Sequence, residues 1–430
     1  MNHAMHKTPR SPTNRLTLKM SKFVRQEKSQ RKHPVYGSTT PIIKAPVVPT
    51  APKERPGWKG PGFVRKGAKS TPRPSAAATT SSAESVQDHH LPVELQQLVL
   101  NIFSSTLPIC QDYEALKTTL QQVRDKITEG DWERAFRSRE WMEAYAVRWS
   151  PNRALCYANI LLGICEEFGD EPWIDQLLSE NSTRAVCFGG NIAELMAFGA
   201  VLRYLSSTQG RAKIHSQSSS TEATNSLPEP SKLVLYLIDL ASWSPILTSF
   251  LTSLTTPPTL SKYASATAQA NNKPLLPLTL LTTTVQQSNI LNLSQDTLGV
   301  LLGPSPTLTT LFFTLRDLYA SSIAKSAAFL LKLTLATPKD TLLLIIDNID
   351  DQSTKKESDH DTAERKKYPL RYLLDLAMLD RRVPREPMKE KPGWENLISD
   401  QKRVFKMAEG LRYPISLENL RVQVYLFRRL

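Results

Sequence analysis

The chain is short of several things, and each shortage excludes a class of protein. Its 430 residues hold four cysteines, Cys110, Cys156, Cys165 and Cys187, with no C-x-x-C spacing. That excludes a small disulfide scaffold and fits buried thiols in a reducing compartment. The seven histidines fall mostly in stretches without periodicity, which argues against a metal centre. No apolar run approaches the roughly 18 to 20 residues that a membrane helix needs. The N-terminus carries charge but no apolar stretch with a small-residue cleavage site, so neither membrane insertion nor secretion is expected. The glycine patterns that wrap nucleotide phosphates, G-x-G-x-x-G and G-x-x-x-x-G-K-[ST], are missing too.

Acidic residues are scarce at one end only. Residues 1 to 80 hold 17 basic and 2 acidic side chains and 11 of the 30 prolines; of the formal net charge of +13, this segment carries +15 and the rest sums to −2. Such a segment cannot offset its ordering entropy by burial and reads as a disordered basic arm over 1–90. It is either a phosphate-seeking arm for RNA or a solvated tail with a nuclear address, and the two are compatible.

What is present begins with a helical segment over 91–180. Leucines recur at three and four from Leu91 to Leu100, Leu116, Leu120 and Val123 repeat the pattern, and Ser150-Pro151 has the form of a helix start leading through Ala154, Tyr157, Leu161 and Ile164. From Arg184 short apolar runs alternate with helical patterns, the signature of an α/β domain built on a mostly parallel sheet, over 181–430. The predicted strands are Ala185 to Phe188, Leu233 to Asp239, about Leu278 to Gln286, Leu308 to Thr314 and Thr341 to Asp347. A final alternation, Val422, Val424, Leu426, suits an edge strand. Helices are predicted over Ile192 to Leu205, Ser244 to Leu254 and Leu318 to Leu335. Low-complexity stretches at about 206–231, 351–367 and 381–392 read as surface insertions.

The first strand ends in Gly189-Gly190 and opens a helix, where glycine lets backbone approach a ligand and the helix offers unpaired N–H groups. An ordinary tight turn would read the same way. The second strand ends in Asp239, and an acid there in a doubly wound fold accepts hydrogen bonds from both hydroxyls of a ribose, although it could equally cap a helix. Without the phosphate loops, the nucleoside cofactor this favours is S-adenosylmethionine (SAM), which carries no phosphate. Asn289 follows the third strand, where an amide can bond an adenine amino group; a plain polar turn is the alternative. The fourth strand runs into Phe313-Thr314-Leu315-Arg316-Asp317-Leu318-Tyr319, at the edge where substrates meet cofactors in open α/β sheets. It lacks the Asn/Asp-Pro-Pro-aromatic run of enzymes that methylate exocyclic amines, and no cysteine stands there for attack through pyrimidine C5. Methylation of a ring nitrogen or hydroxyl remains, with Asp317 as base or orienter, Arg316 for a phosphate or enolate oxygen and Tyr319 to stack on a base. A solvated helix start with an N-terminal acid would look alike.

Several stretches together resemble one family, the fungal SAM-dependent methyltransferases that modify uridine at N3 in 25S ribosomal RNA. They are residues 91–98, 144–155 with Arg148-Trp149-Ser150-Pro151-Asn152-Arg153 inside, 186–190, 263–276, 313–319, 367–369, and 411–430 with Tyr413-Pro414-Ile415. The resemblance covers about 91–430. It implies a Rossmann-like class I methyltransferase domain with a seven-stranded sheet, SAM as cofactor and rRNA or a pre-60S particle as partner, in a protein read as a monomer without metal. Gly189, Gly190, Asp239 and Asn289 are then expected to contact SAM, with Arg148 and Trp149 closing the pocket and Asp317 in the family's acidic position. Residence in the nucleus, the nucleolus or the cytoplasm fits equally. The readings from other classes are a ribosome-assembly factor that keeps the fold without turnover, and a protein methyltransferase.

Overall fold

The computed structural model describes residues 85–86, 90–179, 182–207, 232–349, 369–378 and 393–430. Nearly all of the basic arm expected over 1–90, nearly all of the three insertions and Lys367-Tyr368 lie outside the described residues. Helices α1 (Val93–Thr106), α2 (Tyr113–Thr128), α3 (Trp132–Ala135), α4 (Arg139–Glu167) and α5 (Pro172–Leu178) come first. The strands are β1 (Ser85–Val86), β2 (Thr183–Phe188), β3 (Leu233–Asp239), β4 (Leu281–Gln287), β5 (Leu308–Phe312), β6 (Leu342–Asn348), β7 (Trp394–Phe405) and β8 (Leu420–Arg429). Between them run α6 (Ile192–Leu205), α7 (Ser244–Thr255), α8 (Ala266–Ala270), α9 (Gln295–Leu302), α10 (Leu315–Ser321), α11 (Ile323–Ala336) and α12 (Leu370–Met378).

The strands form one sheet in the order β1-β7-β8-β6-β5-β2-β3-β4. Neighbours from β6 through β5, β2 and β3 to β4 are parallel, and β8 runs antiparallel to both β6 and β7. Apart from the two-residue β1, in which Ser85-Val86 of the expected arm pair with β7, these are seven strands with the last one reversed and inserted between its predecessors. That is the Rossmann-like class I arrangement the resemblance implies, mostly but not wholly parallel.

Successive strand residues point to opposite faces, and both faces are covered. Ala185, Cys187, Leu235, Leu237, Leu344 and Val424 enter one core with α1, α4, α6 and α7. Val186, Phe188, Ile238, Ile345 and Tyr425 enter the other with α9 to α12. Two-sided burial is why β2, β3 and β6 read as continuous apolar runs.

Four sequence expectations need correction. β8 is not an edge strand: it lies between β6 and β7, and its interior from Val422 to Phe427 is buried. β7 escapes sequence reading because, with only the two-residue β1 outside it, its exposed positions let Glu395, Asp400, Gln401, Lys402 and Arg403 interrupt the apolar ones. The helix predicted over Leu318 to Leu335 is two, α10 and α11, because Ser322 leaves helical geometry and caps α11 through Lys325 N–H. Finally, Ser150-Pro151 starts nothing. It sits in the middle of α4, which begins at Arg139 behind the Ser138 cap.

A proline inside a helix removes one N–H and strands the carbonyl four residues back. Here that carbonyl belongs to Val147, and Tyr413 Oη donates to it at 3.0 Å. Tyr413 stands in the 406–419 segment after β7, which Gln97 also ties to α1 by accepting from Arg412 N–H at 2.7 Å and donating to Arg412 C=O at 2.9 Å. Replacing Tyr413 with Phe should therefore cost about 1–2 kcal/mol, read from urea unfolding. The cost should shrink in a Pro151→Ala background, where the restored N–H satisfies Val147 from within the helix; an equal cost in both backgrounds would rule the contact out as the cause.

Candidate active site

The carboxyl ends of β2, β3, β4 and β5 meet at one edge of the sheet. Phe188 pairs with Ile238 across β2 and β3, so Gly189 and Asp239 follow on adjacent rungs, and Gly189 N–H donates to Ile238 C=O at 2.7 Å. Gly189 adopts φ +78°, and a Cβ there would stand 2.1 Å from Thr314 Oγ1. At Gly190 a Cβ would meet Cys187 Cβ at 2.5 Å. Gly189 is thus demanded by the close packing of the turn against the residue after β5, and Gly190 by the turn's fold back onto Cys187 and Leu237. After the turn, Asn191 caps α6: its side chain accepts from Ala193 N–H at 3.2 Å, and Glu194 Oε2 accepts from Asn191 N–H at 2.8 Å.

At the end of β3, Asp239 Oδ1 accepts from Ala241 N–H at 2.7 Å. The end of β4 lies beside it, since Ser288 N–H donates to Asp239 C=O at 2.8 Å. Asn289 is exposed; its side chain accepts from Leu291 N–H at 3.0 Å and caps the 3-10 turn Ile290–Asn292. The structure thus places Gly189, Gly190, Asp239 and Asn289 along one edge, with the Asn289 carboxamide oxygen engaged locally.

At the end of β5 the backbone is strained. Phe313 takes φ +51°, a region bulky residues avoid, and its N–H donates to Ile346 C=O at 2.7 Å. The kink opens α10, on whose first turn Asp317 stands with an exposed outer surface. Arg316 is turned the other way. Its N–H donates to Asp347 Oδ2 at 3.0 Å, its Nη2 to Asn348 C=O at 2.7 Å, and its Nε lies 3.6 Å from Asp347 Oδ1. This corrects the reading of Arg316 as a group free for substrate: its guanidinium serves β6. Tyr319 is likewise corrected. It is 8% exposed and packed in the α9–α12 core, so its ring has no open face for a base.

The preface contributes through α4. Tyr145, Trp149, Arg153 and Tyr157 recur every four residues and share a face. The Arg153 guanidinium lies 4.5 Å from the Phe313 ring centroid, and Nη1 donates to Tyr145 Oη. Tyr145 packs on Trp149 at 5.0 Å and on Trp243 at 5.9 Å, and Tyr157 on Phe312 at 4.4 Å. Arg148 does not join this group. It lies on another face of α4, where Nη2 pairs with Glu418, so the structure sets Arg148, expected beside the cofactor, apart from the face that carries Arg153. The repeat of four was present in the sequence and picks out Arg153 over Arg148; Glu194 and Phe313 carried no comparable signal.

Burial drives the electrostatics. It pushes the Glu194 carboxyl up to about 7, with Asp239 adding to the rise while the backbone N–H groups and Arg153 oppose it. Asp239 is pushed up to about 6 by burial, against the Ala241 N–H and the neighbouring Trp243 indole. Asp317 also rises to about 6, first by burial and then by the charge of Asp347, with Arg153 and Arg316 opposing. Asp347 is raised by burial too. Glu194, Asp317 and Asp347 lie in the field of two guanidinium groups with Asp239 beside Glu194, and each of the four is reluctant to ionise. Such a donor set fits a ligand that brings positive charge and ribose hydroxyls together, as SAM does with its sulfonium and ammonium groups.

The strand order with this edge defines a class I methyltransferase. The family model for SAM-dependent methyltransferases matches residues 103–428, and the chain belongs to that family; its cofactor is SAM. A Saccharomyces cerevisiae protein named 25S rRNA (uridine(2843)-N(3))-methyltransferase is 25% identical over 341 residues, 76% of this chain and 83% of that one. Among solved structures, the antibiotic-resistance methyltransferase Kmr is 12% identical with a TM-score of 0.27, over 60% of this chain and 91% of that one. A SAM-dependent methyltransferase from Leishmania major is 11% identical with a TM-score of 0.26, over 65% and 83%. Among the described residues no group of three or more His, Cys, Asp or Glu could hold a metal ion, and no helix is long and apolar enough to cross a membrane.

Carboxyls that ionise between about pH 6 and 7 should make SAM affinity rise from pH 5.5 to pH 8, most steeply in that window. S-adenosylhomocysteine, which lacks the sulfonium charge, should show a shallower rise. Calorimetric titration of both ligands across the range is the check, and a flat SAM profile would contradict the role given to the acids. Because these groups bind protons more tightly folded than unfolded, from their ordinary value near ~4 upward, their contribution to ligand-free stability falls as pH rises through 6 to 7.

Proposed function

We propose that this protein transfers a methyl group from SAM to N3 of a uridine in large-subunit ribosomal RNA. The observation that carries the reading is the place of Asp317, an acid on the first turn after β5, at the edge that also bears Gly189 and Asp239. The name of the yeast relative supports the same substrate.

When bound, SAM supplies an electrophilic methyl group on its sulfonium centre. Asp239 would accept hydrogen bonds from the ribose hydroxyls, and Glu194, behind the Asn191 turn, adds negative charge beneath it. Asn289 would reach the adenine end from the exposed rim of β4. Uracil N3 bears a weakly acidic proton that must leave as the new bond forms. A carboxylate with a raised pKa is a better acceptor for that proton than an ordinary one and remains ionised at neutral pH. Arg153 lowers the Asp317 pKa part of the way back, which keeps the base ionised. N3 lies on the Watson–Crick edge, so the uridine has to be unpaired or turned out of its stack. The basic segment over 1–80 would then add affinity for flanking phosphates, and an enzyme of this kind would work in the nucleus or nucleolus, where large subunits are assembled.

Incubating the purified protein with SAM and large-subunit RNA from a strain lacking it should yield N3-methyluridine on nuclease digestion and mass spectrometry. A folded preparation that binds S-adenosylhomocysteine yet leaves that RNA unmodified would sink the proposal. Asp239→Ala should abolish SAM binding. Asp317→Ala should keep SAM binding within about threefold and lower single-turnover methyl transfer on the order of 10²-fold or more; loss of SAM binding in that variant would contradict its role as base.

A further inference from the structure

We propose that a cavity between α2, α4 and the 406–419 segment binds a phosphodiester of the substrate RNA strand, with Arg124, Arg148 and Ser416 as donors and Glu418 as the carboxylate the phosphate displaces. The inference rests on RNA being the substrate.

The cavity holds about 390 Å³ and is lined by Arg124, Arg148, Pro414, Ile415 and Ser416; no acid is among these. Arg148 is nearly enclosed, with 12% of its side chain exposed. Nη2 pairs with Glu418, while the buried Nη1 has no hydrogen-bond partner among the described residues. A buried guanidinium nitrogen without an acceptor is costly, and arginine cannot relieve the cost by losing its proton. Its one partner is loosely held, because the Glu418 side chain is 62% exposed and can turn out to water at little loss. Arg124 is exposed and makes no ion pair among the described residues. Two guanidinium forks and a hydroxyl around one hollow match the several acceptor oxygens of a phosphate.

Position points to the RNA strand as the source of that phosphate. β7 runs parallel to β6, so the 406–419 segment leaves the sheet at the edge that carries Asp239 and Asp317. Arg148 and Arg153 are five residues apart on α4, ~7.5 Å along its axis. On this proposal a strand that delivers a uridine to Asp317 crosses α4 at this point and sets a neighbouring phosphodiester in the cavity. A second hollow of about 320 Å³ shares Ile415 and Ser416 and is walled by Met407, Leu411 and Tyr413. An apolar wall next to cations suits a base beside its own backbone.

The test uses the full-length protein and a fluorescein-labelled, uridine-rich single-stranded RNA, with anisotropy followed across a salt series. Arg124→Gln and Arg148→Gln should each weaken binding several-fold and reduce the slope of log K against log salt by about 0.7, with S-adenosylhomocysteine affinity unchanged for Arg124→Gln. Glu418→Gln should have the opposite sign and tighten RNA binding, an effect that a merely structural ion pair would not produce. Thermal melts identify any variant that fails to fold, and Arg124, on the surface, serves if Arg148→Gln does. The proposal is overturned if wild-type protein binds and methylates RNA while the folded arginine variants bind it equally well. It is also overturned if Glu418→Gln weakens binding, or if inorganic phosphate at low millimolar concentration displaces the RNA completely, which would mark a free-anion site. Wild-type protein that neither binds nor methylates RNA would instead bring down the substrate assignment, and this inference with it.

Discussion

One half-buried positive charge holds the working edge together: the guanidinium of Arg153 reaches from the helical preface onto the kinked end of β5, where it lies on Phe313 within the field of Glu194 and Asp317. Without a cation there, those carboxyls would be desolvated and mutually repelling, and their pKa values would climb further. With it, they stay poised near neutrality. Arg153 also explains why the preface packs on the sheet as it does. Its partners Tyr145, Trp149 and Tyr157 occupy the same face of α4, and their rings fill the space between that helix, Trp243 and Phe312. The helix therefore serves as a wall of the site.

That wall has to be straight enough to carry four turns of contacts past a proline. The structure solves the problem from outside the helix, by having the Tyr413 hydroxyl take the place of the missing N–H at Val147. In doing so it ties the segment after β7 to α4, a bond spanning 266 positions of sequence. Two stretches that look distinctive in the sequence, Arg148 to Arg153 and Tyr413 to Ile415, are thus halves of one contact.

This contact marks the boundary of what local sequence signals reveal. Local signals were sound wherever the local structure was self-sufficient. β3 was legible to its last residue because burial on both faces demands an unbroken apolar run, and Gly189 because φ +78° excludes most other residues. Failures came where a distant group overrides a local preference. Ser150-Pro151 has every mark of a helix start, yet Tyr413 and the core around α4 let the helix run through it. β7 is polar because only the two-residue β1 lies outside it, and pairing partners cannot be read from its own residues. Tyr319 and Arg316 flank the acid of the fourth strand in sequence, but α10 turns one into the core and gives the other to Asp347. Asp239, one rung from the glycine turn, was legible because the parallel register fixes its place; the repeat of four marked the face of α4 that carries Arg153, but not what that face packs on, because α4 precedes the sheet altogether.

The two arginines of α4 also explain how a site can take a cation and a polyanion at the same edge. SAM needs surplus negative charge, and RNA needs the reverse; mixed at random, the two would neutralise one another in the protein before either ligand arrived. α4 keeps them apart. Five residues turn the helix by about 140°, so Arg153 lies among the carboxyls while Arg148 lies at the cavity by Ser416. Each ligand therefore meets a field of the sign it requires, and the target base can be held where one field gives way to the other. The helix that closes the cofactor side is, on its opposite face, the one that can grip the strand carrying the methyl acceptor.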